Sequence, residues 1–296
     1  MSRKCLPDQP LWAVLRGEGY EILGTEQREQ CELMTTHVED HRESYIQTIR
    51  LNRADKKNAL TPEMYLAIAE ALRSAQTDKK VRVTILTGSR DSFTAGNDIG
   101  DFVATSNAPK GEKSLTQGPA PFPTFLATLM AAEKPVIAAV NGMAIGVGVT
   151  MLMHCDLVYA ADTARFGMPF VNLGAVPEAG SSVLIPDMVG RMRAMELFLL
   201  GDQFTAQKAK ELGFLNEIFP ADQLMQEVMA IAERLAAKPP SALRETKRLV
   251  REHGALLEQA IREEGRTFDA QLRTPESKEA LKAFSERRPA DFSKFD

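Results

Sequence analysis

Residues 135–150 read Pro-Val-Ile-Ala-Ala-Val-Asn-Gly-Met-Ala-Ile-Gly-Val-Gly-Val-Thr, and this stretch decides the fold. Pro135 to Val140 is an apolar run of strand length, Asn141-Gly142 is a turn pair, and from about Gly146 the apolar residues continue as a buried helix. The apolar stretch reaches Cys155, but Asn141 and three glycines interrupt it and Asp156 follows at once. A membrane span needs roughly 20 consecutive apolar residues, so the segment belongs to a protein core.

The same grammar extends outward. Leu157 to Ala161 is a further strand, Val81 to Leu86 is another that ends at Gly88, and from Tyr45 the run Tyr-Ile-Gln-Thr-Ile-Arg-Leu alternates as a half-buried strand does. Thr61, Pro62 and Glu63 supply a cap, a first-turn proline and a first-turn acid for a helix to about Gln76, and a second helix is expected over Phe122 to Ala132. Strand, strand, helix is the repeating order. From Pro177 onward the chain reads as nearly all helical, with Gly201 and Gly213 as stops and Thr205 as a cap. Thr105 to Pro123, rich in Gly, Pro, Ser and Thr, is expected to be a mobile surface loop.

Composition narrows the function. The 296 residues, 44% hydrophobic and 26% charged, suit one sizeable domain or two small ones. Lys plus Arg total 36 against 40 Asp plus Glu, a net charge of -4, so no global positive field recruits nucleic acid. Cys5, Cys31 and Cys155 lack metal-ligand spacing and form no disulfide framework, which points to a reducing, cytoplasmic enzyme without a metal site. Residues 1–33 mix acidic and basic side chains without an apolar core and read as neither a secretory signal nor a typical transit peptide. The final Lys294-Phe295-Asp296 is no peroxisomal address.

Two loops could carry chemistry. Gly88 to Ile99 follows a buried strand, and Gly96 permits a backbone angle that turns the next N–H into a pocket. Asn141 to Thr150 feeds a helix start, whose unpaired N–H groups and positive dipole end stabilise a developing oxyanion.

With these two loops the chain resembles the crotonase, or enoyl-CoA hydratase/isomerase, superfamily. The resemblance runs from about Tyr45 to Phe292, through Asn-Arg-x5-Asn-Ala-Leu at Asn52 to Leu60, the Phe93 to Ile99 loop, Asn141 to Gly148, Cys155-Asp156-Leu157, and Phe284-x2-Arg287-Arg288-Pro289. It implies an α/β fold of the ClpP/crotonase-like type, a spiral of ββα units with a C-terminal helical trimerisation region. It also implies an acyl-CoA thioester ligand, a homotrimer or hexamer (a dimer of trimers) and no separate cofactor, since CoA is part of the substrate; the charge balance and the interrupted apolar stretch already argue against a nucleic-acid or membrane partner. The corresponding division is an extension over 1–33, a spiral core over 34–230 and a helical region over 231–296. Met34 is a candidate native start.

In that family two backbone N–H groups hold the thioester oxygen as it becomes an enolate. Carried over, they belong to Asn97 and Val147, whose side chains should then be relatively free to vary. Typical hydratases carry two glutamates at the positions of Thr150 and Phe170, and neither residue works as an acid or base near neutral pH. Glu178, in Pro177-Glu178-Ala179-Gly180-Ser181-Ser182, resembles the catalytic glutamate of peroxisomal-type Δ3,Δ2-enoyl-CoA isomerases. Taken alone, a Glu after Pro is also a routine first-turn acid of a helix.

The reading is therefore an isomerase that moves a 3-enoyl-CoA double bond to the 2-position, with Glu178 as proton shuttle. The alternatives are hydration, thioester hydrolysis or a non-catalytic acyl-CoA-binding module. The resemblance places CoA near Lys56, Lys57, Ala59, Ala95, Gly96, Asp98 and Ile99, with Phe284 and Arg287 nearby, from the same or a neighbouring subunit. His154 reads as a packed or capping histidine, Asp98 and Asp156 as loop anchors, and Met143, Met151 and Met168 as either core or acyl tunnel.

Overall fold

The computed structural model describes residues 35–107, 120–251 and 254–295. Among the described residues, ten strands form two sheets. The larger has the order β1-β2-β3-β5-β7-β10, from β1 (Val38–Glu43), β2 (Ile46–Leu51), β3 (Val83–Gly88), β5 (Val136–Val140), β7 (Leu157–Ala161) and β10 (Glu217–Phe219). The smaller has the order β4-β6-β8-β9, from β4 (Ser92–Thr94), β6 (Met143–Ile145), β8 (Arg165–Gly167) and β9 (Phe204–Thr205).

Three times in succession a strand of the large sheet turns within a few residues into a strand of the small one: β3 into β4, β5 into β6, and β7 into β8. Each pass adds one parallel neighbour to both sheets, with Thr84 beside Val136, Ile137 beside Leu157, Thr94 beside Ala144 and Ala144 beside Phe166. The result is a spiral of ββα units, as expected. Its corners are pinned by asparagine side chains: Asn58 Nδ2 donates to the Ser92 carbonyl at 2.7 Å, and Asn141 Oδ1 accepts from the Gly88 N–H at 3.0 Å.

Strand β5 reads Val-Ile-Ala-Ala-Val without alternation because both faces are covered. Ile137 and Ala139 face Val228 and Ala232 of the helix Leu224–Ala236, whereas Val136, Ala138 and Val140 face the main core with the helix Pro62–Thr77. That helix starts as expected, with the Thr61 hydroxyl accepting from the Met64 N–H at 3.4 Å and Pro62 in the first turn.

The structure corrects several details. Tyr45 lies in a left-handed turn at φ 67°, so its strand begins at Ile46. The polar segment Val38–Glu43 pairs as an edge strand that the hydropathy pattern does not mark. Asn141-Gly142 leads into strand β6 before any helix, and the helix from Gly146 is one α-turn, Val147–Thr150, continued as a 3₁₀ turn, Met151–His154. Part of the expected loop at Thr105 to Pro123 is helical at its edges, in Ile99–Asn107 and Pro121–Ala131. Residues 108–119 of that loop, Met34, Cys5 and Cys31 lie outside the described residues. No described helix is long and apolar enough to cross a membrane.

Candidate active site

The loops after β4 and β6 emerge side by side because their strands are neighbours. A side-chain carbon on Gly96 would lie 2.9 Å from the Ile145 carbonyl oxygen, and Gly96 sits at φ 93°, so only glycine lets the loops approach this closely. Leu60 fixes the peptide beyond it: its N–H donates to the Gly96 carbonyl at 2.8 Å and its carbonyl accepts from the Asp98 N–H at 2.9 Å. In such a bridge the intervening residue turns its own N–H to the opposite side. Asn97 is that residue.

Gly146 has φ 56° and ψ -117°, a combination open to glycine alone, and it begins the short helix at Val147. A first-turn N–H has no partner within its helix. Among the described residues, no acceptor takes the N–H of Asn97 or of Val147.

Glu178 is only 6% exposed although it is a carboxylate. Its carbonyl accepts from the Ser181 N–H at 3.1 Å, closing a turn through Ala179 and Gly180, at φ 62° and 73°. Two successive left-handed residues are the signature of a type I′ turn. The following helix, Ser181–Val189, begins only after this turn, so Glu178 is not its first-turn acid. Burial first, and the Glu264 carboxylate second, push the Glu178 carboxyl up to about 8.

Glu178 and Asn97 line one cavity of about 400 Å³, a size suited to a small-molecule ligand. Its wall is mainly apolar, built by Leu60, Phe102, Phe122, Leu126, Phe268 and Leu272. Asp101 and Asp269 also line it, but both are exposed, so Glu178 is the one buried carboxylate among the described lining residues. Although Asp101 reaches solvent, partial desolvation by the cavity wall, with Asp98 and Glu63 nearby, raises its carboxyl above the ordinary range.

Sequence reasoning missed Tyr65, because an apolar-face tyrosine on a helix carries no signal of a site. It is buried, lines the cavity and donates from its hydroxyl to Asn97 Oδ1 at 2.5 Å. Burial, then the charges of Glu178 and Asp101, raise the phenol well above its usual range, which keeps it a donor. The Asn97 side chain is therefore engaged, contrary to the expectation that it is free to vary.

The remaining sequence candidates divide. Val147 is buried with its side chain in the core and does not line the cavity. Ala59, in the segment before the helix Pro62–Thr77, and Ala95, Asp98 and Ile99, after β4, are all partly buried. The Ala95 N–H donates to the Lys57 carbonyl at 2.9 Å, and Asp98 accepts from Arg53 at 2.6 Å and from the Gly100 N–H at 2.9 Å. Lys56, Lys57, Phe284 and Arg287 are exposed and away from the cavity wall.

Thr150 is buried without a partner for its hydroxyl, and Phe170 is buried with its ring 6.5 Å from that of Phe198. Met151 and Met168 are core, and Met143 is partly buried off the cavity. Asp156 accepts from the Val136 N–H at 2.7 Å and pairs with Lys247 and Arg251, so it anchors a loop as expected. Among the described residues no cluster of His, Cys, Asp and Glu could hold a metal ion.

Residues 41–294 match the family described as enoyl-CoA hydratase/isomerase. The chain is 37% identical over 248 residues to enoyl-CoA delta isomerase 2 of Rattus norvegicus, covering 83% of this chain and 63% of that relative. It thus spans less than two thirds of the rat protein's length. It is 32% identical over 257 residues to 2,3-dehydroadipyl-CoA hydratase of Escherichia coli K12, covering 85% and 96%. Among solved structures it superposes on an enoyl-CoA hydratase/isomerase from Pseudoalteromonas atlantica T6c with a TM-score of 0.80 and 38% identity, covering 87% and 100%. These likenesses bear out the fold class and the resemblance read from the sequence.

Proposed function

Because the chain belongs to the enoyl-CoA hydratase/isomerase family, we propose that it is an acyl-CoA double-bond isomerase, converting a 3-enoyl-CoA to the 2-enoyl isomer. The observation that carries this reading is Glu178, the one buried carboxylate among the described residues that line the apolar cavity; the family resemblance adds that Thr150 and Phe170 stand at the positions where hydratases carry their two acids. The thioester oxygen accepts from the N–H groups of Asn97 and Val147. Glu178 removes a proton from C2, the electron pair moves onto the held oxygen as an enolate, and the new carboxylic acid returns the proton at C4. No atom is gained or lost, so one acid suffices and neither metal nor redox cofactor takes part.

Hydration needs a second group to activate water, and the Thr150 hydroxyl titrates far too high for that. The homotrimeric or hexameric assembly remains part of the reading. It is supported by large apolar side chains left exposed on the chain, such as Met192 and Val250 at 80% and 73%.

The direct test is to incubate 3-enoyl-CoA and 2-enoyl-CoA separately and measure isomer against hydrate. Isomer from the former with little hydrate from the latter is expected. Predominant hydration that survives Glu178→Gln would reject the assignment.

A pH profile follows from the same carboxyl. Glu178 must be ionised in the free enzyme to accept the C2 proton, and its affinity for protons is raised to about 8. The kcat/KM for a 3-enoyl-CoA should therefore climb with pH along an ascending limb centred near that value. A limb centred near the ordinary glutamate range would contradict the buried setting.

A further inference from the structure

Behind the Glu178 turn lies a second buried carboxylate that the proposed chemistry does not use. Glu264, on the helix Gly254–Gln271, is 7% exposed, and among the described residues no cation pairs with it. Its Oε2 accepts from the Gly180 N–H at 2.5 Å and its Oε1 from the Ser182 N–H at 2.8 Å. A buried carboxylate requires such compensation, and here two amides at the positive end of the helix Ser181–Val189 supply it.

The helix bearing Glu264 presses on the same turn. A side-chain carbon on Gly180 would stand 2.4 Å from Leu257 Cδ1 and 3.2 Å from Ile261 Cγ1. One stripe, Leu257, Ile261 and Glu264, thus holds the turn, while Ile261, Phe268 and Leu272 of the same helix and its end form the cavity wall. On the opposite side the His154 Nε2–H reaches the Ala179 carbonyl at 2.7 Å. The left-handed conformation of Ala179, which costs a non-glycine residue of order 1–3 kcal/mol, is maintained from both sides.

We propose that Glu264 is a positioning residue for the Glu178 carboxylate, fixing the turn that presents it and setting the charge beside it. The proposal rests on Glu178 being the base. Among the groups around that base, Tyr65 is a neutral donor turned to Asn97, Asp101 and Asp269 are exposed at the rim, and His154 faces the Ala179 carbonyl. Glu264 is the buried negative charge among them. Its carboxylate disfavours a second negative charge nearby and so strengthens the base.

The test uses the intact protein. In the wild type, the Gly180 and Ser182 amides should exchange hydrogen only on the slow scale of global opening; exchange at the rate of a free loop amide would overturn the clamp. Glu264→Gln removes the charge and one acceptor. It should lower kcat roughly 10- to 100-fold with little change in KM. It should also move the ascending limb to lower pH, raising the ratio of kcat/KM at about pH 6.5 to that at about pH 8.5 by about 3- to 10-fold.

Glu264→Asp keeps the charge but cannot span both amides, so kcat should fall while the limb stays. An unmoved limb and wild-type kcat in Glu264→Gln would overturn the proposal. A wild-type protein inactive on every 3-enoyl-CoA would instead sink the reading of Glu178 as base, and the exchange measurement on the clamp would stand independently.

Discussion

Glu178→Gln is expected to lower kcat/KM for a 3-enoyl-CoA by about 10²- to 10⁴-fold while KM stays within a few-fold. Glutamine fills the same space and can still hydrogen-bond, but it neither accepts the C2 proton nor returns one at C4. Asp101 and Asp269 are exposed, so among the described lining residues no other buried carboxylate is placed to take over.

The same substitution should stabilise the fold at alkaline pH. The native Glu178 carboxyl sits at about 8 against 4.5 for an ordinary one. Between those values the folded protein binds a proton that the unfolded chain has lost, so this group's contribution to stability is fully present below 4.5, falls as pH rises, and is gone above 8. At about pH 9 the wild type therefore pays to bury a charge, and Glu178→Gln should be more stable by about 1–4 kcal/mol in denaturant unfolding. An inactive variant that is no more stable than wild type at that pH would contradict a buried carboxyl. An active one would refute the mechanism.

The second large effect is expected at Gly146→Ala. The added methyl meets nothing closer than Phe170 Cε1 at 4.0 Å, so there is no clash to repair. The cost lies in the backbone, where φ 56° and ψ -117° are closed to alanine and strain of order 1–3 kcal/mol is relieved by rotating the peptide that carries the Val147 N–H. Losing one oxyanion donor should lower kcat by about 10²- to 10³-fold, with a thermal unfolding midpoint only modestly reduced. Full kcat in this variant would show that the Val147 N–H does not hold the thioester oxygen.

Much of this architecture is written in the chain where burial is two-sided. Strands β2, β3, β5 and β7 are legible because their apolar runs match their buried places in the large sheet. Strand β1, Val-Glu-Asp-His-Arg-Glu, is not, since an edge strand facing water needs only its backbone to pair. The strands of the small sheet are two or three residues long, too short for any period to show.

The site divides in the same way. The glycines of the two loops mark strand exits locally, whereas Glu178, which taken alone reads as a routine first-turn acid, stands out only through the family resemblance of its Pro-Glu segment. Tyr65 and Glu264 do not, because each looks like an ordinary helical residue until the spiral brings a distant segment against it. The Tyr65 bond to Asn97 also shows why a position defined by its backbone N–H can still constrain its side chain.

Strands β4 and β6 are adjacent, about 4.8 Å apart as paired strands are, so the two loops proposed to grip the carbonyl come from successive coils. In the proposed mechanism that grip belongs to the backbone, so a side-chain exchange disturbs it only where, as at Gly96 or Gly146, it changes the backbone itself. The acid is held differently, by side-chain contacts to the turn that carries it, and in the proposed mechanism its address selects which carbon gains or loses a proton. Within one unchanging handle, the repertoire of reactions becomes a question of where a single carboxyl is posted.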